Sequence, residues 1–463
     1  MPEYKKRIAF IAGPLLFILV QLIPFEGLSH QGRSILAGTA WIALWWIMEP
    51  VSIPVTSLLP IVLFPLSGGL SIADTTASYG NPIIYLFLGG FVIGLAVERW
   101  NLHKRVAFGI LHLFGLREKR VILGMMVASA FLSFWISSVP VTIMMLPIGI
   151  SLIQSFGGRQ PFARSLLLGI AYAASIGGNA TLIGSTPNII MVGIIQETLQ
   201  VEISFLKWML FATPFVGVLL LASWLILTRY KQAEDAIAVS SFQLPNLGKM
   251  NRTEKRVLVV FSITVFLWLT RTFLWNRWFP SLSDPMIAIM GALLMFLIPS
   301  GVKNKGNLMN WEEAKKLPWG TLLLFGAGLA IAKGFSATDL TQWLGNLFIQ
   351  LDGLPEALFV LIIIVGINAM TEINSNTATA SMMIPLVISI GHSLGMEVLP
   401  LLAAVSFSAS SAFMLPVSTP PNAIVFSTGK VSIPQMMRAG FALNLTAVLL
   451  IFLTVRYFWG VVF

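Results

Sequence analysis

The chain has 463 residues, of which 56% are hydrophobic and only 10% are charged, whereas an ordinary soluble protein carries about 25% charged residues. It contains no cysteine, which excludes disulfides and thiolate metal sites, and its four histidines lie far apart without metal-ligand spacing. The net charge of +10 is spread over short basic stretches that flank apolar segments. This placement indicates the cytoplasmic loops of a polytopic membrane protein and argues against nucleic acid as a partner.

The first apolar segment follows Lys5, Lys6 and Arg7 without a convincing cleavage site, so we predict a retained first span. A basic amphipathic stretch at 104–120 is predicted to lie along the membrane interface. Polar residues 231–254 are predicted to form a cytoplasmic linker. Membrane spans are predicted near residues 7–25, 34–48, 53–68 and 82–97. Further apolar segments lie near 121–137, 140–156, 163–195, 207–228, 255–273, 284–299, 319–334, 355–373, 379–396, 398–428 and 440–461.

The sequence repeats itself across this linker. A shift of 238 positions aligns SSVPVTIMMLPIGISL (137–152) with SNTATASMMIPLVISI (375–390), and GSTPN (184–188) is matched by STPPN (418–422). Two halves with the same order of segments, starting on opposite sides of the membrane, form the inverted repeat of secondary transporters. We therefore predict two halves, 1–230 and 255–463. Each contains a hairpin and then a broken helix, near 121–156 and 163–195 in the first half and near 355–396 and 398–428 in the second.

Polar residues interrupt the apolar segments at equivalent places in both halves. The run TEINSNTATAS (371–381) lies between segments too short to be independent spans, which favours re-entrant helical hairpins. Prolines in GSTPN and STPPN break the longer helices. Four breaks are predicted to meet near the midplane, where helix N-termini attract anions and exposed carbonyls attract small cations. Glu372 is predicted to hold the hairpin leg by hydrogen bonding, and Asn188 and Asn422 to brace the broken helices.

The segments SNTATASMMIPL, SIGGNATLIGSTPN, LPVSTPPNAIVF and WEEAKKLPWGTLLLFGAGLAIAKGF resemble the divalent anion/sodium symporter family, the INDY-like dicarboxylate and citrate transporters, from about residue 35 to the end. The resemblance implies an all-α polytopic fold of eleven transmembrane helices and two re-entrant hairpins. It further implies an elevator-type division into scaffold and transport domains, and a homodimer among the lipids of a bacterial plasma membrane. Succinate, malate, fumarate and oxoglutarate are the implied substrate class. Sodium is the coupling ion of most members, and no other cofactor is expected.

The resemblance assigns ligand binding to the hairpin tips and the helix breaks. The implied substrate ligands are Ser137, Ser138, Ser185, Ser375, Asn376, Thr377 and Thr419. One implied sodium site uses Thr371, Ser375, Asn376 and Ser418. A second, weakened sodium site would use Ser137, Ser138 and Gly184.

The first tip departs from the family pattern, because Ser138 and Val139 stand where the family has asparagine and threonine. A weakened sodium site favours dicarboxylate exchange, with sodium-coupled symport as the alternative. A membrane-embedded enzyme is a remote alternative, since no paired Asp motifs, His cluster or Ser with a spaced base occur in the spans. An anion channel is equally remote, because a pore needs a ring of like groups. The N-terminus is expected in the cytoplasm and Phe463 outside.

Overall fold

The computed structural model describes residues 3–115, 117–229, 247–303, 305–348 and 355–463. Within these ranges all regular elements are helices, apart from one isolated bridge between Pro299 and Asn307. Before residue 230 the helices are α1 (Glu3–Leu22), α2 (His30–Met48), α3 (Ile53–Thr56), α4 (Leu59–Leu66), α5 (Ile72–Tyr79), α6 (Pro82–Arg99), α7 (Leu102–Phe114), α8 (Glu118–Ser133), α9 (Ser138–Ser155), α10 (Gln160–Gly178), α11 (Thr186–Leu199) and α12 (Phe205–Leu227).

A second series of helices follows after residue 246. Two of these helices, Arg252–Thr270 and Ile433–Leu453, continue into π-helical turns at Arg271–Trp275 and Thr454–Phe458. The helices are α13 (Arg252–Thr270), α14 (Asp284–Leu297), α15 (Trp311–Ala314), α16 (Trp319–Ala337), α17 (Leu340–Phe348), α18 (Glu356–Ile373), α19 (Asn376–Ser393), α20 (Val398–Ala409), α21 (Pro420–Phe426), α22 (Ile433–Leu453) and α23 (Trp459–Val462).

Seven helices in the described ranges are long and apolar enough to cross a membrane, and shorter apolar helices accompany them. The predicted all-α polytopic fold is confirmed, while the count of eleven spans stays a prediction from the resemblance. Residues 231–246 of the predicted linker 231–254 lie outside the described residues. Its last three residues belong to α13, because Asn251 and Glu254 form a capping box that starts this helix at Arg252.

Each of the two stretches predicted as a hairpin contains a pair of helices. In the first, α8 and α9 are joined by residues 134–137; in the second, α18 and α19 are joined by Asn374 and Ser375. In the two stretches predicted as broken helices, residues 179–185 separate α10 from α11 and residues 410–419 separate α20 from α21. Proline occupies the first turn of α11 and of α21, where its missing N–H has no helical partner to lose.

The two halves interlock at the breaks. The second leg of each hairpin packs against the broken helix of its own half, so α9 contacts α10 and α19 contacts α20. Each second leg also packs against the far segment of the other half's broken helix, α9 against α21 and α19 against α11. This crossed arrangement brings both hairpin tips and both breaks to one place.

The basic segments share one face of the molecule. The Arg105 guanidinium on α7 pairs with Glu254 at 2.8 Å and donates to the backbone carbonyl of Gly248 at 2.9 Å, just before α13. Nearby, Arg99 donates to the carbonyls of Lys305 and Leu308 at 3.4 Å. The predicted interfacial stretch 104–120 corresponds to α7, except that α8 already begins at Glu118.

Glu372 fixes the second hairpin to the second break, as predicted. Its buried carboxylate accepts the backbone N–H groups of Phe413 at 2.7 Å and Met414 at 3.0 Å, and the Asn444 side-chain amide at 2.7 Å. The two N–H groups lie in the gap between α20 and α21, where no helical partner can accept them. One carboxylate therefore holds three elements together: α18, the break and α22.

Replacing Glu372 by alanine is expected to lower the free energy of unfolding strongly, because each buried donor left unpaired costs about 1–3 kcal/mol. Glu372→Gln keeps one acceptor oxygen and should cost less. The thermal unfolding midpoint of the detergent-solubilised protein, followed by tryptophan fluorescence, measures both effects. Glu356→Ala, at the exposed start of the same helix, is the control. Equal midpoints for Glu372→Ala and Glu356→Ala would contradict the bracing role.

Candidate functional site

A cavity of about 960 Å³ extends from the face with the basic segments to the helix breaks. Lys6, Glu98 and Lys316 line its outer part, and both hairpin tips and both breaks line its inner end. The structure brings together all seven substrate ligands that the sequence implied: Ser137, Ser138, Ser185, Ser375, Asn376, Thr377 and Thr419. Residues more than 230 positions apart thus share one cavity.

The second tip is built around Asn376. The Thr371 hydroxyl lies 2.7 Å from the Asn376 side-chain oxygen and 2.7 Å from the Ala409 carbonyl oxygen. The N–H of Ser375 donates to Asn374 Oδ1 at 2.9 Å. Three of the implied sodium ligands therefore lie together in a cluster of neutral oxygens, the donor type that hard cations prefer. The fourth, Ser418, lines the cavity, and its hydroxyl donates to the Leu415 carbonyl at 2.6 Å.

The first tip offers two unused hydroxyls. Ser137 and Ser138 are half-buried and line the cavity, and neither hydroxyl has a protein hydrogen bond in the part of the chain that the structure describes. Behind them, a Cβ on Gly184 would lie 2.5 Å from the Ser133 carbonyl oxygen and 2.6 Å from that of Gly178. Only glycine fits there, and the close approach gathers backbone oxygens next to the implied first sodium site.

Asn188 and Asn422 brace the broken helices, as the sequence predicted. The Asn188 amide donates to the carbonyls of Asn179 at 3.2 Å and Thr181 at 2.9 Å. Its oxygen accepts the Ser406 hydroxyl from the other half at 2.7 Å. The Asn422 amide donates to the Leu415 carbonyl at 3.1 Å. Both side chains are buried and satisfy backbone oxygens that the breaks expose.

Two cross-half contacts were missed by sequence reasoning. The hydroxyls of Thr186 and Thr377 lie 2.7 Å apart, and those of Ser185 and Ser410 lie 2.9 Å apart. All four residues line the cavity. Thr186 is the third residue of GSTPN, but its contact with the opposite tip depends on the crossed packing of α11 and α19. No local pattern announces such a pair.

The electrostatics of the inner cavity come from neutral groups. Among the described residues that line it, Lys6 and Lys316 are the basic ones, and both lie at the mouth. Hydroxyls, the side-chain amides of Asn374 and Asn376, and the N-termini of α9, α11 and α19 form the inner end. Helix N-termini carry partial positive charge and unpaired N–H groups, so this arrangement can bind carboxylates without a cationic side chain.

Comparisons with known proteins agree with this geometry. Residues 4–463 match the family described as "Sodium:sulfate symporter transmembrane region". The sodium-dependent dicarboxylate transporter SdcS of Staphylococcus saprophyticus is 43% identical, over 97% of this chain and 91% of the relative. SdcS of Staphylococcus aureus strain USA300 is also 43% identical, over 98% of this chain and 91% of the relative.

Two solved structures share the fold at low identity. The YdaH transporter of Alcanivorax borkumensis superposes with a TM-score of 0.63 at 16% identity, covering 84% of this chain and 87% of that one. MtrF of Neisseria gonorrhoeae superposes with a TM-score of 0.61 at 12% identity, covering 94% and 97%. With the whole-length family match and the 43% identical relatives, these findings show that the chain belongs to the sodium:sulfate symporter family of membrane transporters, as its motifs predicted.

Proposed function

We propose that the protein is a sodium-coupled symporter of small dicarboxylates. Membership of a transporter family removes the enzyme alternative. The observation that carries the proposal is the one cavity that both tips and both breaks line, because a substrate with two carboxylates needs two sets of hydrogen-bond donors. The 43% identical relatives, named sodium-dependent dicarboxylate transporters, support both the substrate class and the ion.

We propose sodium coupling in place of the dicarboxylate exchange that the sequence of the first tip suggested. Val139 supplies no ligand, but a sodium site at an interrupted helix depends largely on unwound backbone carbonyls. The carbonyls of Ser133 and Gly178 close on Gly184, and Gly184 lines the same cavity as Ser137 and Ser138. These oxygens can compensate for the missing asparagine and threonine, so the first site is proposed to bind sodium as the second does.

Alternating access is proposed to proceed by an elevator movement. A second cavity of about 790 Å³ lies at the far end of α16 and α19, lined by Asp339 and His392, and no tip residue lines it. Ala378, which follows Thr377 of the second tip, belongs to a separate apolar core with side chains of α2, α4 and α16. We propose that the hairpins and broken helices slide past this core, and that the structure represents the state open to the cytoplasm. The homodimer stays a prediction from the resemblance.

Purified protein in proteoliposomes should take up labelled succinate when an inward sodium gradient is imposed, and should lose most of that uptake when choline replaces sodium. Excess unlabelled sulfate, the anion named by the family, should compete less well than malate, because one tetrahedral anion cannot engage both tips. Uptake in choline that matches uptake in sodium, and that requires internal dicarboxylate, would overturn symport in favour of exchange. Passive uptake down a succinate gradient that depends neither on sodium nor on internal dicarboxylate would instead indicate a channel.

Asn376→Ala and Thr377→Ala are each expected to weaken succinate binding about ten- to a hundredfold, because a hydrogen bond to a charged group contributes about 1.5–3 kcal/mol. The apparent affinity for succinate in sodium-driven uptake measures the change. Thr446→Ala is the matched control, since its hydroxyl donates to the Ala442 carbonyl of its own helix at 2.8 Å. Wild-type affinity in both tip variants would remove this tip from the substrate site.

The proposed orientation is tested with single cysteines, because the chain has none of its own. The Lys207 ammonium lies 5.7 Å from the centre of the Phe463 ring, near the start of α12, whereas the other end of α12 leads to the predicted linker. We expect a membrane-impermeant thiol reagent to modify Phe463→Cys from outside, and Lys104→Cys and Lys249→Cys from the cytoplasm. Labelling of Phe463→Cys from the cytoplasmic side alone would reverse the orientation.

A further inference from the structure

The two places where a hairpin tip meets the opposite break differ in chemistry. In the repeat, Thr377 corresponds to Val139, and Thr186 corresponds to Pro420. The contact between the second tip and the first break is therefore threonine to threonine, with hydroxyls 2.7 Å apart. The equivalent residues of the first tip and the second break, Val139 and Pro420, carry no hydroxyl, although both line the cavity. The inverted repeat thus has one polar and one apolar junction.

A count of protons shows what the polar junction can offer. Two hydroxyls carry two protons, and the bond between Thr186 and Thr377 uses one of them. Neither hydroxyl has another hydrogen-bond partner within the ranges that the structure describes. Both side chains are half-buried and line the cavity. One hydroxyl proton therefore remains for a ligand, at a position that the hydroxyl pair itself fixes.

We infer that Thr186 is a further substrate-binding residue, which acts with Thr377 on one carboxylate. This inference rests on the proposed dicarboxylate transport. The substrate's two ends are then bound unequally. One carboxylate meets Ser375, Asn376 and the threonine pair, while the other meets Ser137 and Ser138 beside the apolar wall of Val139 and Pro420.

Unequal binding has a consequence for specificity. The end held by the threonine pair requires a full carboxylate, because hydrogen bonds to an ionised acceptor are about twice as strong as those to a neutral one. The end beside Val139 has fewer donors and should tolerate a neutral group. Monomethyl succinate, with one carboxylate and one ester, should therefore inhibit wild-type uptake measurably, whereas dimethyl succinate should not.

The test compares sodium-driven succinate uptake by wild type, Thr186→Val, Thr186→Ser and the control Thr446→Val in proteoliposomes. Thr186→Val keeps the branched shape and removes the hydroxyl, so KM for succinate should rise about tenfold or more, with Vmax and the sodium concentration for half-maximal uptake nearly unchanged. Thr186→Ser should restore KM. Inhibition by monomethyl succinate should weaken in parallel in Thr186→Val. Thr186→Ala replaces Thr186→Val if the valine variant does not fold.

Wild-type KM in Thr186→Val would overturn the inference while leaving dicarboxylate transport intact. A loss that appears only in Vmax, or that serine does not rescue, would also overturn it, because a packing role predicts that result. Absence of sodium-driven succinate uptake by the wild type itself would instead remove the proposed function. These outcomes are distinguishable because uptake by the wild type tests the proposed function, whereas the variants test only the role of Thr186.

Discussion

The backbone at the four helix breaks needs hydrogen-bond partners inside an apolar protein, and the rest of the site depends on meeting that requirement. Helix ends leave N–H and C=O groups unpaired, and the hydrocarbon core of a bilayer contains no water that could bind them. Side chains placed behind the breaks do so. The Glu372 carboxylate accepts the N–H groups of Phe413 and Met414, and the Asn188 amide donates to the carbonyls of Asn179 and Thr181. Without these braces the breaks would have no fixed shape.

Because the braces lie behind the breaks, the groups in front of them are left for ligands. Glu372 and Asn188 are buried and do not line the cavity, whereas the hydroxyls of Ser137 and Ser138 face it without protein partners among the described residues. This division explains how one intramembrane carboxylate can coexist with an anion site. Three donors bind the Glu372 carboxylate behind the break, so its oxygens hold the break in place and do not line the cavity.

Sequence alone located nearly all of this architecture. The hairpins and breaks were predictable because polar residues and prolines inside apolar segments have few physical interpretations. The internal repeat then excluded the alternative interpretations. The bounds of α8 and α9, α18 and α19 differ from the predicted hairpins by a few residues. The bracing roles of Glu372 and Asn188 were also predictable, since buried polar groups must find partners. The start of α13 was misplaced because its capping box lies inside a polar run.

The meeting of the two halves was predictable, but which residues of the two halves touch was not, and these contacts change the interpretation of the first tip. When SSV of the first tip (137–139) is aligned with SNT of the second tip (375–377), each tip is treated as a complete binding site. In that comparison Val139 is a lost ligand. In three dimensions the tips meet the opposite breaks, and Thr186 reaches Thr377 across 191 positions. Under the assignment of Thr186 proposed above, the second tip gains a hydroxyl from the other half, so a tip is not complete in itself. The proposed ligand set then belongs to the junction of the halves and not to either copy, and the degradation of one copy of the repeated motif need not abolish substrate binding.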